Sequence, residues 1–125
     1  MVIVDTSVWI RFLANRSPFA SRLDELLAAN QVLGHDLVLG ELLIGDRGGR
    51  AKLLSAYDHL PRATSVPHAD VVSLVRARRL HGLGVGWIDI HILASALTGK
   101  HEVWTADPRF AAAAQTLGVS YLPGA

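Results

Sequence analysis

Apolar positions along this chain fall into two patterns, short solid runs and helical stripes. Val2-Ile3-Val4 is a run of β-branched residues with no polar face, which predicts a strand buried on both sides, as in the centre of a parallel sheet. Gln31–Leu33, Arg62–Val66, Glu102–Thr105 and Val119–Leu122 predict further short strands, Arg62–Val66 being the least apolar of them. Between them lie helical patterns. Val8–Leu13 is a short one. The next begins at Ser17-Pro18, read as an N-cap and a first-turn proline. It buries Phe19, Leu23, Leu26 and Leu27 and ends near Asn30. Asp36–Ile44, with Asp36 as the expected cap, is apolar nearly all round; Arg50–His59 is amphipathic and stops at Leu60-Pro61. Pro67–Leu80, a helix from Trp87 to Leu97 closed by Gly99, and Pro108–Leu117 complete the series. Strands that alternate with helices predict an α/β domain built on a parallel sheet.

Composition narrows the chemistry. A chain of 125 residues, half of them apolar, fits one domain over residues 1–125 with a single core. It has no cysteine, which excludes a disulfide framework, zinc–thiolate ligation and a thiol nucleophile. A net charge of +1 does not mark a nucleic-acid binder by bulk charge, so any basic surface must be local. No signal-peptide pattern and no apolar run of membrane-spanning length is visible, which makes the cytoplasm the expected location and a membrane an unexpected partner.

Four carboxylates then stand out by position. Asp5 and Asp107 each follow a predicted strand, where ligand sites of open α/β sheets lie. Asp89 opens a helix, and Glu41 is the one charge inside a helix that is otherwise apolar. Each has a plain explanation: a helix cap for the aspartates, an escape to solvent or an arginine partner for Glu41. Convergence would explain all four together. Two carboxylates about 4 Å apart repel by about 4 kcal/mol at an effective dielectric of 20, a conflict that a divalent cation removes. Oxygen donors without thiols point to Mg²⁺ or Mn²⁺ rather than zinc.

The opening Val-Asp-Thr-Ser, the Gly-Glu-Leu around Glu41, Asp89-Ile-His-Ile-Leu-Ala-Ser-Ala-Leu, and Trp104-Thr-Ala-Asp107 followed by Phe110 span almost the whole chain. In this order and spacing they resemble a PIN-domain ribonuclease of the VapC type, the toxin half of a toxin–antitoxin pair. The resemblance implies a three-layer α/β/α sandwich with a five-stranded parallel sheet in the order 3-2-1-4-5, which makes strands one and four neighbours. It carries the metal-binding and catalytic acids onto Asp5, Glu41, Asp89 and Asp107, and the supporting hydroxyls onto Thr6 and Thr105. It implies a metal-dependent endoribonuclease in which a Mg²⁺- or Mn²⁺-activated water attacks RNA. An antitoxin partner and a homodimer follow from the same resemblance. Gly40, where alanine is more usual, and His91 in the acidic helix depart from the pattern.

Three other readings stand beside this one. A haloacid-dehalogenase-like phosphohydrolase also places an aspartate after strand one but needs a second two residues on, where this chain has Ser7. A catalytically inactive domain could bind RNA or protein through the same groove. Metal-free cleavage by a histidine pair is conceivable among His35, His59, His68, His81, His91 and His101, but only His91 lies in a motif. Arg76, Arg78 and Arg79 are candidates to grip the RNA backbone, or else complement a helix dipole. The short glycine-rich link Gly82–Gly86 favours a helical hairpin that would bring these arginines beside Asp89.

Overall fold

The computed structural model describes residues 1–123; residues 124 and 125 of the single domain expected from the sequence lie outside the described residues. The element order is β1 (Val2–Val4), α1 (Thr6–Leu13), α2 (Phe19–Ala28), β2 (Val32–Leu33), α3 (Asp36–Ile44), α4 (Ala51–Asp58), α5 (His68–Arg78), α6 (Trp87–Gly99), β3 (Glu102–Trp104) and α7 (Pro108–Thr116). β1 is central, and both of its neighbours run parallel to it. Val2 and Ile3 pair with Val32 and Leu33, and Val2, Ile3 and Val4 pair with Glu102, Val103 and Trp104. All three β1 side chains are buried, as a strand covered on both faces requires.

The sheet has three strands in the order β2-β1-β3 rather than the five expected. The two outer segments each shrink to a single parallel bridge, Gly34 with Arg62 and Val103 with Ser120. Backbone bonds hold them there: Gly34 N–H donates to Pro61 O at 2.7 Å, and Tyr121 N–H donates to Val103 O at 2.9 Å. Both are edge segments, and Arg62–Val66, between Pro61 and Pro67, has only Ala63 and Val66 as apolar residues to extend a ladder.

Aromatic packing ties helices to the sheet. Trp9 meets Phe12 and Tyr57 edge-on at 5.7 and 5.5 Å, and Phe19 stacks on Trp104 at 5.9 Å. Two helix starts differ from expectation. α2 begins at Phe19 after Pro18, and the Ser17 hydroxyl does not cap it. α3 is capped by His35 rather than Asp36: the His35 ring accepts from Leu37 N–H at 3.1 Å, and Asp36 sits in the first turn.

The pairing of α5 and α6 decides where the arginines lie. His68, the first residue of α5, meets Trp87, the first of α6, at 5.4 Å between rings. Farther along, Ala77 of α5 shares a cavity wall with Leu97 and Thr98 of α6. The two helices therefore run side by side in the same direction, and the expected hairpin is not formed. Eleven residues at about 1.5 Å each carry the C-terminal end of α5 about 16 Å from the end that meets Trp87. The glycine-rich link returns the chain, with Gly82 and Gly84 both at φ +73. Arg76, Arg78 and Arg79 consequently stand at the far end of α5 and not beside Asp89. Arg79 itself closes the helix in the left-handed conformation.

Candidate active site

The site is assembled where β1 and β3 end. Because Val4 pairs with Trp104, Asp5 and Thr105 leave the sheet side by side, and Asp5 N–H still donates to Trp104 O at 2.9 Å. Asp5 is buried, only 5% exposed. Its Oδ2 accepts from Ser7 Oγ at 2.7 Å and from Thr105 Oγ1 at 2.9 Å. Those two hydroxyls stand 3.2 Å apart, and each has a backbone donor of its own. Ala106 N–H donates to Ser7 Oγ at 3.0 Å, and Asp107 N–H donates to Thr105 Oγ1 at 3.1 Å. Each hydroxyl proton is thus committed to Asp5, with backbone N–H groups filling the hydroxyl lone pairs.

Glu41 joins this arrangement from α3. Thr6 Oγ1 donates to Glu41 Oε1 at 2.8 Å, so this half-buried carboxylate in an apolar helix is met by the residue next to Asp5 and not by an arginine. Asp107 is the N-cap of α7, its Oδ1 accepting from Arg109 N–H at 2.9 Å. Asp89 lies in the first turn of α6, where its Oδ2 accepts from Gly86 N–H at 3.3 Å.

The electrostatics link the four. Burial pushes the Asp89 carboxyl up to about 6, and the charges of Asp5, Glu41 and Asp107 add to the shift, while the Gly86 hydrogen bond opposes it. No ion pair among the described residues involves any of the four; the pairs are Arg22–Glu25, Arg62–Asp36 and Arg62–Asp58. Four acids at one edge without an ion-pair partner, all offering oxygen, have the donor chemistry of a hard divalent cation. Among the described residues, no three His, Asp or Glu side chains are placed to hold one ion between them.

Two residues at this edge were not singled out in the sequence. Ser7 is one; its signal was the pair of hydroxyls directly behind Asp5. His35 is the other. It is 1% exposed and directly follows Gly34 at the end of β2. Its Nδ1 caps α3 and its Nε2 lies 3.0 Å from Ser95 Oγ of α6, while its backbone N–H donates to the Tyr57 hydroxyl at 2.9 Å. Since Nδ1 accepts, the neutral ring donates from Nε2, and His35 joins the helix of Glu41 to the helix of Asp89. Burial lowers its pKa, opposed by Asp36 and assisted by His91 and Arg62.

A family model described as PIN domain matches residues 2–115. Two curated relatives, both called Ribonuclease VapC32, come from Mycobacterium tuberculosis strains CDC 1551 / Oshkosh and ATCC 25618 / H37Rv. Each is 40% identical to this chain over 121 residues, which cover 96% of the chain and 95% of the relative.

Proposed function

Because this chain belongs to the PIN domain family, we propose that it is a metal-dependent endoribonuclease of the VapC kind, the toxin of a toxin–antitoxin pair. One observation carries the reading. Hydrogen bonds tie Glu41 to Thr6, the chain neighbour of Asp5, and tie Asp5 through Thr105 to the backbone of Asp107. Sequence positions 5, 41 and 107 thereby share one sheet edge.

Asp5, Glu41, Asp89 and Asp107 would hold Mg²⁺ or Mn²⁺. The bound ion supplies positive charge against a phosphate and lowers the pKa of water. The chain's own residues prepare the site for it. Ser7 and Thr105 fix Asp5 by donating to one of its oxygens. Thr6 orients Glu41. Asp107 keeps Oδ1 on the α7 backbone, and Asp89 is held in the first turn of α6 by Gly86 N–H. An RNA substrate, a cognate antitoxin, a homodimer and a cytoplasmic location complete the proposal; no helix among the described residues is long and apolar enough to cross a membrane.

Hydrolysis by water leaves a 5′-phosphate and a 3′-hydroxyl, whereas attack by the RNA 2′-hydroxyl leaves a cyclic phosphate. The test is cleavage of a labelled RNA with Mg²⁺, Mn²⁺ or EDTA, with end-group analysis of the products. Activity in EDTA, or a cyclic phosphate end, would refute the four-acid mechanism.

A further inference from the structure

Trp87 occupies an unusual position. Trp9 and Trp104 are 2% and 3% exposed, whereas Trp87 is 44% exposed. It is the first residue of α6, two positions before Asp89. His91 and His68 hold its ring edge-on at 5.0 and 5.4 Å. The indole forms one wall of a cavity of about 380 Å³, with His35, Asp36, Leu37, Ser65 and His91 among the others. This volume lies within the range of about 300–1,000 Å³ typical of small-molecule sites.

The cavity has the parts that read an unpaired base. It offers the Trp87 indole, apolar contact at Leu37, and hydrogen-bonding groups at Ser65 and His91 for a base edge, with the Asp36 carboxylate held by Arg62 at 3.3 Å. Single-stranded RNA is bound by stacking on aromatic rings combined with hydrogen bonds to base edges. None of the four acids lines the cavity, but two helices connect it with them: α3 carries Asp36 and Glu41, and α6 carries Trp87 and, two residues on, Asp89.

We propose that the Trp87 cavity is the subsite that receives one unpaired base of the RNA beside the bond to be cut. This rests on the ribonuclease reading and names what that site selects. It accounts for an exposed indole held between two imidazoles, two residues before Asp89. His91 acquires a use that the four acids do not give it.

Intrinsic fluorescence reads the cavity directly, because Trp87 is the one exposed indole among the described residues. In EDTA, where cleavage stops on this reading, a single-stranded RNA of about 12 nucleotides should quench emission and shield it from acrylamide. A duplex of the same sequence should not, since its bases are already stacked. Trp87→Leu should lose the signal and bind the single strand about tenfold more weakly, within the range of stacking measured by substitution, and Trp87→Phe should recover part of that binding. With Mn²⁺ restored, Trp87→Leu should raise KM more than it lowers kcat. Binding and KM unchanged in Trp87→Leu would overturn the inference, as would equal quenching by duplex. So would an emission change that depends on protein concentration without RNA, which would assign the face to a second copy of the chain. A wild-type protein that cuts RNA without quenching defeats the subsite alone. Quenching without any metal-dependent cleavage defeats the ribonuclease reading alone.

Discussion

Asp89→Asn should make the metal-free protein more stable at neutral pH. The folded chain holds the Asp89 carboxyl at about 6 against an ordinary value of 3.8, through burial first and then through Asp5, Glu41 and Asp107. A carboxyl with a raised folded pKa binds its proton more tightly in the folded state. Its favourable contribution is complete below 3.8 and lost as pH rises through about 6. At 1.36 kcal/mol per pH unit, the interval from 3.8 to about 6 sets a ceiling of about 3 kcal/mol. Asp89 is only partly buried, and solvent screening reduces that to about 1–2 kcal/mol. Asparagine keeps an oxygen for Gly86 N–H but gives up a charge at a helix N-terminus worth about 0.3–1 kcal/mol. The net gain is then about 1 kcal/mol, or a rise in Tm of about 4 °C for a chain of this size. Thermal melts of both proteins in EDTA across pH 4 to 8 provide the assay. The advantage of Asp89→Asn should be present at pH 7.5 and vanish towards pH 4. A variant that is no more stable than wild type at pH 7.5, or whose advantage ignores pH, would refute the reasoning that burial and the charges of Asp5, Glu41 and Asp107 act against ionised Asp89.

Further outcomes follow from the same geometry. Mn²⁺ at 100 times its Kd should stabilise the wild type by about 2.7 kcal/mol in a thermal shift assay, and Asp89→Asn by less. Ser7→Ala takes one donor from Asp5 and leaves Ala106 N–H unpaired, a loss of about 1–3 kcal/mol in urea denaturation that Ser7→Thr should partly restore. Protonating His35 breaks the α3 cap. Its lowered pKa means that its contribution is complete above 6.5 and lost as pH falls through the folded value, which should appear as an acid limb in Asp89→Asn melts and be absent when His35→Gln is added. Replacing Arg76, Arg78 and Arg79 by Gln should leave the salt dependence of binding unchanged for an RNA too short to span the roughly 16 Å along α5; a shallower slope would put these arginines at the site.

Much of this was legible because each local pattern agreed with its neighbours. The solid run Val2–Val4 could only be a strand covered on both faces, and the parallel sheet followed from the alternation. Asp5 and Asp107 were readable as residues just beyond strand ends, and Glu41 as a charge with no apolar reason to be there. Less visible were features that depend on partners remote in sequence. Val119–Leu122 has the composition of a strand, yet forms a single bridge, Val103 with Ser120, at the edge beside β3. His35 reads as one histidine among six until Ser95, sixty positions later, gives its ring a role. A short glycine-rich link suggests a hairpin, so the direction of α5 is not legible from the sequence. Gly82 and Gly84, both at φ +73, let the chain double back along α6 instead.

The seam between Asp5 and Thr105 also bears on when the protein becomes active. Its hydrogen bonds join groups 98 to 100 positions apart, so they cannot form on a partly synthesised chain. While the first hundred residues emerge, Asp5 has no Thr105 to orient it, and one flank of β1 stays bare until Glu102–Trp104 arrives. Contacts of such long sequence separation are late events in folding. A site built this way stays unassembled until nearly all of the chain has been translated. Any chain cut short before β3 is left with an exposed apolar strand edge, which marks it for aggregation or removal rather than for catalysis.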